Sequence, residues 1–366
     1  FILMRALGIE SDKSIIEACV LDMDQENLLL EHFISSVHDA ATIFTQKHAI
    51  QYLSTLTKGK TTDTVLEILT SYLLPNIGTT NFIEKAYYIG YIVKRLLYVK
   101  LEKETPTDRD SFQYKRVQVS GVLLFDLFQE YYKLQVNRIR TKVDSEYHYD
   151  KQTYYKKLRL LIDNNYVKFF EERIVEKGIR KAFKGQWGSQ VYTSKDGVIQ
   201  DLNRLSFFAA LEHLRKVNLN MDSNAKVVAP RYLHSTQFGL ICPVHTPDGG
   251  NIGFHKHMAL GCMVTPNILS SEITNWLKSF EMDSLLEKTP REMYQSTKIF
   301  VNGSWIGIYN DPEGLVKSFR EDRRNGKINH YINVRWNIEL QEIHFATDAG
   351  RLTRMLYYVE NGKSSN

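Results

Sequence analysis

Cysteine is scarce in this chain of 366 residues: Cys19, Cys242 and Cys262 are the only three. So few thiols, so far apart, exclude a disulfide framework and point to a reducing compartment. Proline is sparse too, eight in all, and neither an internal repeat nor a low-complexity stretch is present. No apolar run reaches the roughly 20 residues needed to cross a membrane. The longest candidate, Ala86 to Val93, runs straight into Lys94-Arg95. No secretory signal opens the chain. Catalytic signatures are missing as well. There is no G-x-S-x-G elbow, no Walker A loop and no aspartate cluster suited to paired Mg²⁺. Asp108-Arg109-Asp110 has the spacing, but an arginine between two carboxylates reads as a salt-bridged turn. A self-contained hydrolase, NTPase or phosphoryl transferase is therefore without support.

What is present is ordinary globular material, 43% hydrophobic and 24% charged, long enough for two or three domains. The net charge of +5 permits nucleic-acid contact without demanding it, since binding depends on local clustering. The chain begins at Phe1 inside a segment that reads as structured, so it is expected to be a piece of a longer protein. Texture predicts an α+β, multidomain fold. Residues 1 to about 110 read as helical, with Ser11 as a helix cap and a helix over Ile83 to Val99. Phe125 to Lys184 is long-helical, and Lys133, Arg138, Arg140, Lys142, Lys156, Lys157 and Arg159 alternate there with tyrosines. Such interleaving suits stacking plus phosphate contact, or simply a solvated face over a core. Asp201 is expected to start a helix with Phe207, Ala210, Leu211 and Leu214 on its apolar face, and Asn220 to Lys226 reads as a polar loop. After residue 266 strands dominate. Asn302-Gly303 predicts a type I′ hairpin, Asp311-Pro312 a helix start, and two more strands lie near Tyr331–Trp336 and Glu342–Ala346.

The densest stretch is 231 to 260, RYLHSTQFGLICPVHTPDGGNIGFHKHMAL. Thr246-Pro247-Asp248-Gly249 predicts a type I turn, and Gly249, Gly250 and Gly253 leave the backbone bare for close approach. Arg231, His234, His245, Asp248, His255, Lys256 and His257 surround that turn. A carboxylate held among cations suits a phosphate or a metal. Cys242-x2-His245 and His255-x-His257 offer zinc four ligands, but the second pair lacks ligand spacing, so no metal is expected. His234 reads as a hydrogen-bonded core or interface histidine.

These residues also carry a resemblance. Arg231, Leu233-His234, Phe238-Gly239, Cys242-Pro243, Thr246-Pro247, Gly249, Gly253, Lys256 and Ala259 resemble the fork region of the second-largest subunit of multisubunit DNA-dependent RNA polymerases, the beta subunit in bacteria. His245 stands where that family has its first Glu, Asp248 its second, Phe238 its Trp and His257 its Asn. Further likenesses run in family order: Phe1 to Asp12, Lys85 to Leu97, Asp108-Arg109-Asp110 with Lys115-Arg116 and Gly121, then Val301-Asn302-Gly303 and Thr347 to Arg351. Met355 replaces a usual Pro.

The resemblance implies a lobe over 1–112, returning protrusion helices over 113–184, a fork region over 185–265 and an external domain over 266–366. It implies template-directed RNA synthesis by an assembled enzyme, the chain alone being inactive and contributing no catalytic residue. Mg²⁺ would be held by the largest subunit. Partners would be that subunit, other polymerase subunits, template DNA, the RNA–DNA hybrid and NTPs, with no membrane. Arg231 and Asp248 fall at the nucleotide and active-site rim. Trp187, Lys195, Arg204, Lys226 and Lys256 fall on the nucleic-acid channel, along loops of which the first looks shorter than usual. The location would be intracellular: the nucleus if cellular, or a cytoplasmic viral factory or virion, because Thr246 to His257 looks like subunits of large cytoplasmic DNA viruses. The alternative is a non-catalytic nucleic-acid-binding or assembly module on the same scaffold.

Overall fold

A computed structural model describes all residues except Asn220, Ser223, Asn361, Ser365 and Asn366. The chain divides into two compact units, each made from separated segments. One holds residues 1–108 and 266–348, the other residues 109–265 and 349–366. The expected segment 266–366 is thus divided. The reason is a short antiparallel pair, Cys262–Val264 with Leu352–Arg354, which ties the chain after Ala349 to the second unit.

In the first unit the helix Phe82–Lys100 packs on the helix Asp12–Val20. Their contact is close because Gly90 has no side chain; a Cβ there would overlap the Ala18 carbonyl. Ser11 stands at the helix start as expected, yet its hydroxyl makes no capping bond. Met4, Leu7, Ile15, Val20, Leu29 and Ala86 are buried in the core that results. The same unit contains a five-stranded sheet, in the order Asp283–Ser284, Ser304–Tyr309, Thr297–Val301, Glu342–Ala346, Asn333–Asn337. All neighbours are antiparallel except Thr297–Val301 with Glu342–Ala346, where Ile299 faces Ile343. The hairpin forms at Asn302-Gly303 with φ of 49° and 78°, as a type I′ turn requires. Asp311 caps the helix Pro312–Arg324 by accepting from the Gly314 N–H at 3.0 Å. That helix buries Leu315, Val316 and Phe319 against the sheet, the apolar spacing of one helical face.

The second unit is led by the 30-residue helix Ser120–Tyr149, against which Leu158–Phe170 and Ile174–Phe183 fold back. Leu127, Tyr131, Ala182 and Trp187 form its small buried cluster. Three of the interleaved bases are shown with acidic partners: Arg138 and Lys142 share Glu172, and Arg159 pairs with Asp163. Those three belong to a solvated face.

One helix differs from expectation. It begins at Phe207, capped by the Ser206 hydroxyl, which accepts from the Ala209 N–H at 3.0 Å. Upstream, Asn203 N–H donates to His213 Nδ1 and Leu205 N–H to the Asn203 side chain. Local side-chain acceptors of this kind compete with helix formation, so Asp201 starts nothing. The face expected to be buried is open: Phe207 is 73% and Leu214 69% exposed. The expected loop Asn220–Lys226 includes two positions outside the described residues.

Candidate functional site

The 231–260 stretch is a loop system held by side chains and by one short antiparallel pair, His255–His257 with Lys216–Asn218. Arg231 is the centre of it. Its guanidinium donates to the carbonyls of Gly250 at 2.6 Å and Ile252 at 2.9 Å, and to Val227 at 3.3 Å. It also lies over the Phe254 ring, 3.8 Å from the centroid. Gly253, at φ +74°, comes so close that a Cβ would overlap the Arg231 carbonyl, which is the close approach the bare backbone anticipated. Thr246 adds a second staple: its hydroxyl accepts from the Gly253 N–H at 2.8 Å and donates to the His255 carbonyl at 3.0 Å.

The turn itself is shifted from the expected place. Asp248 has ψ 162°, an extended value, and the tight turn is Gly249–Asn251. A type I turn on Thr246–Gly249 needs ψ near 0° at Asp248. The extended backbone leaves the Asp248 carboxylate exposed, with no hydrogen bond or ion pair among the described residues.

The other expected residues are dispersed. Arg204 and Lys226 are exposed and likewise unpartnered among the described residues. Lys195 is half-buried and donates to the Gln118 amide oxygen at 3.2 Å. Lys256 lies in the short strand His255–His257, opposite Val217, and is buried. Trp187 is buried. At 5% exposure it belongs to the core cluster, and its backbone bridges Lys195, so its ring is not offered to a base. Glycine fits at 188 on two counts, a φ of +95° and an approach to Thr193 so close that a Cβ would collide with its carbonyl.

Three features had no sequence signal. Glu130, on the long helix, accepts from the Ser189 N–H at 2.9 Å, from the Ser189 hydroxyl and from Thr193 Oγ1 at 2.6 Å. Burial pushes its carboxyl up, but these hydrogen bonds outweigh that and leave it below the usual value. His245 and His257 stack face to face, centroids 3.6 Å apart and planes 3° from parallel. Glu212 approaches His245 Nε2 at 3.7 Å, while His257 Nδ1 is buried without a partner. The third is the staple by Thr246. His234 accepts from the Thr236 N–H at 3.2 Å and so caps a short turn. Among the described residues no three His, Cys, Asp or Glu side chains converge to hold a metal ion.

Family comparison fits this geometry to a known frame. Residues 1–118 match the family model described as RNA polymerase Rpb2, domain 2; residues 200–264 match Rpb2 domain 3; residues 299–360 match Rpb2 domain 4. Three successive domains of one subunit appear in order. The chain belongs to the Rpb2 family, the second-largest subunits of RNA polymerase. It is 35% identical to DNA-directed RNA polymerase II subunit RPB2 of Encephalitozoon cuniculi, over 99% of the chain and 32% of that protein. It is 33% identical to DNA-directed RNA polymerase II subunit 2 of Arabidopsis thaliana, over 99% and 30%. It is 30% identical to DNA-directed RNA polymerase subunit Rpo2 of Saccharolobus shibatae, over 99% and 32%. This Rpb2-family chain therefore spans about a third of the length of these relatives. All three are cellular, and none supports a viral source. No helix among the described residues is long and apolar enough to cross a membrane.

Proposed function

We propose that this chain works as part of the second-largest subunit of a DNA-directed RNA polymerase. There it walls the channel for template DNA and the RNA–DNA hybrid and completes the rim through which NTPs reach the active centre. The carrying observation is the Arg231 clasp. An arginine fully engaged with loop carbonyls acts as a positioning residue, and what it positions is a loop bearing an exposed, unpaired Asp248. A lone carboxylate repels phosphate, so Asp248 acts through a cation supplied on assembly. Arg204 and Lys226 supply exposed charge for backbone phosphates. Mg²⁺ would be held by the largest subunit; the described residues here offer it no cluster. The open Phe207 and Phe208 face supports partner subunits, since exposed aromatic surface of this kind marks an interaction site. A cellular polymerase of this family in a eukaryote would work in the nucleus.

The test is Asp248→Asn in the assembled enzyme. Single-turnover extension at subsaturating NTP should weaken by about 1–3 kcal/mol, as for a lost charge-assisted hydrogen bond. Assembly should be unaffected, and Asp248→Glu should be milder. Equal extension rates and equal misincorporation for Asn and wild type would reduce Asp248 to a turn residue. A stand-alone nucleic-acid-binding module would instead show tight, sequence-selective DNA binding without other subunits.

A further inference from the structure

The unit of residues 1–108 and 266–348 holds a cavity of about 280 Å³ between the helix Phe82–Lys100 and the five-stranded sheet. That is near the lower end of small-molecule sites, roughly 300–1,000 Å³. Tyr91, Tyr98, Tyr294 and Trp305 give it aromatic walls, and Lys94, Arg95 and Lys298 bring cations to it. Two of those cations are engaged. Arg95 donates to the Tyr91 hydroxyl at 2.9 Å and pairs with Glu104 and, at 3.6 Å, with Glu342. Lys94 donates to the Val20 carbonyl at 3.0 Å, lies 3.9 Å from Glu26 and sits 4.4 Å from the centre of the Tyr294 ring.

Lys298 is the exception. It is 9% exposed and lines the cavity, and its side chain makes no hydrogen bond or ion pair among the described residues. Its nitrogen is not sealed within the protein, so what it meets is the cavity. The sheet fixes its base: Lys298 stands opposite Glu342 in the parallel pair, and its N–H donates to the Gln341 carbonyl at 2.9 Å. Burial is the main cause of a lowered pKa, which Glu342 opposes and Arg95 reinforces. An exposed lysine is only about 0.1% free amine at pH 7.4; Lys298 holds a larger share in the nucleophilic form. The rest of the lining decides what reaches it. Glu339 and Glu342 line the cavity beside the three cations, and Glu339 is exposed, which places the mouth beside it. Acids among the bases leave an anion little net attraction, so a neutral guest suits the cavity better. Rings around an amine favour a flat, apolar body.

We propose that this cavity is a modification site in which Lys298 captures a small aromatic aldehyde as an imine. The Lys298 nitrogen attacks the carbonyl carbon and forms the N–C bond. The C=O π pair moves to oxygen, which takes up a proton that the nitrogen gives up. The resulting carbinolamine then loses water: the C–O bond breaks, the nitrogen lone pair closes C=N, and the last nitrogen proton leaves with the hydroxide. Nothing is oxidised or reduced, and one water leaves for each aldehyde bound. Walls that hold the ring keep bulk water from the imine and slow its hydrolysis. Lys94 is less suited, because it would first have to leave the Val20 carbonyl and Glu26. The site stands apart from RNA synthesis and does not rest on the polymerase reading.

The experiment uses the full-length natural protein with 2-hydroxybenzaldehyde as the probe, kept limiting over the lysines at pH 7.4. Cyanoborohydride reduces any imine to a stable benzylamine, and digestion with mass spectrometry maps it. Lys298 should carry at least about ten times the label of exposed lysines such as Lys58 and Lys317. Formaldehyde under the same conditions should prefer Lys298 less, because it has no ring for the walls to hold. In denaturant both preferences should vanish. Label spread evenly over the lysines, or concentrated on Lys94, overturns the proposal. Equal selectivity with both aldehydes removes the aromatic class and overturns it too. A preference that survives denaturation would belong to the local sequence rather than the cavity, with the same result. Every arm uses the wild-type chain, so no variant has to fold.

Discussion

In the unit of residues 1–108 and 266–348, Glu26 accepts hydrogen bonds from Tyr98, Lys103 and Tyr294 and lies 3.9 Å from Lys94. In the other unit, Asp248, Arg204 and Lys226 stand exposed without a partner among the described residues. Around Glu26 the first unit encloses a charge and matches it, whereas the loop system around Arg231 leaves the Asp248 carboxylate open to solvent. Stability explains the former arrangement, since a buried charge must be paired. The latter adds little to the stability of the fold, because an exposed charge stays solvated whether or not it is paired.

The sharpest way to break this contrast is Glu26→Gln. Burial alone would raise the Glu26 carboxyl, but Tyr98, Lys103 and Lys94 hold it below its ordinary value. Burial has already pushed Lys94 down to about 8. Removing the acid strands that amine, and the first unit should lose about 3–5 kcal/mol in denaturant unfolding. Adding Lys94→Met should recover most of the loss; no recovery would mean that Glu26 acts through its tyrosines.

A smaller effect is expected from Gly253→Ala, which meets both a positive φ and the Arg231 carbonyl. A cost of about 1–3 kcal/mol follows from the overlap. Amide exchange should speed up over 225–254 and stay unchanged in the first unit. Faster exchange in both units would show that the effect is not confined to the clasped loop.

Smaller still is a pH effect at the imidazole stack. Burial, with His245 and Lys216 adding and Glu212 opposing, holds His257 below its ordinary value. The folded state therefore binds fewer protons than the unfolded chain as the pH drops below about 6.5. Stability is full above that pH and declines beneath it, through the lowered value. Melting of the second unit at pH 5.5 should fall short of that at pH 7.5, and His257→Asn should narrow the gap. An unchanged gap would assign the sensitivity to His255, whose pKa burial also lowers. The least effect of all should come from Arg204→Gln, within about 0.5 kcal/mol of wild-type stability, because nothing in the fold leans on that side chain.

What the sequence disclosed was local. Asn302-Gly303 and Asp311-Pro312 specify their turn and cap within four residues, and both formed. The helix Phe82–Lys100 followed from its own periodicity. What stayed hidden spans distance: Glu130 reaches residues about 60 positions away, and the His245–His257 stack depends on a bend that brings two loops face to face. The burial of Trp187 is hidden for the same reason, since its neighbours Leu127 and Tyr131 come from a helix far upstream. At the site, the residue types around Arg231 were legible in the order of the chain. Their division into one clasp, one exposed acid and one buried amine was not, because that depends on where three loops meet.

The clasp has a consequence for how this region can change over time. Arg231 reaches a carbonyl 19 positions along the chain, so residues 232–249 form a ring closed without a covalent bond. Ring closure depends only weakly on circumference, each doubling costing about 0.6 kcal/mol. Residues added at the exposed Pro243-Val244 corner would lengthen the ring without opening it, whereas a change at Arg231 would open it at unaltered length. Length in this loop is therefore free to drift, and its closure point is not.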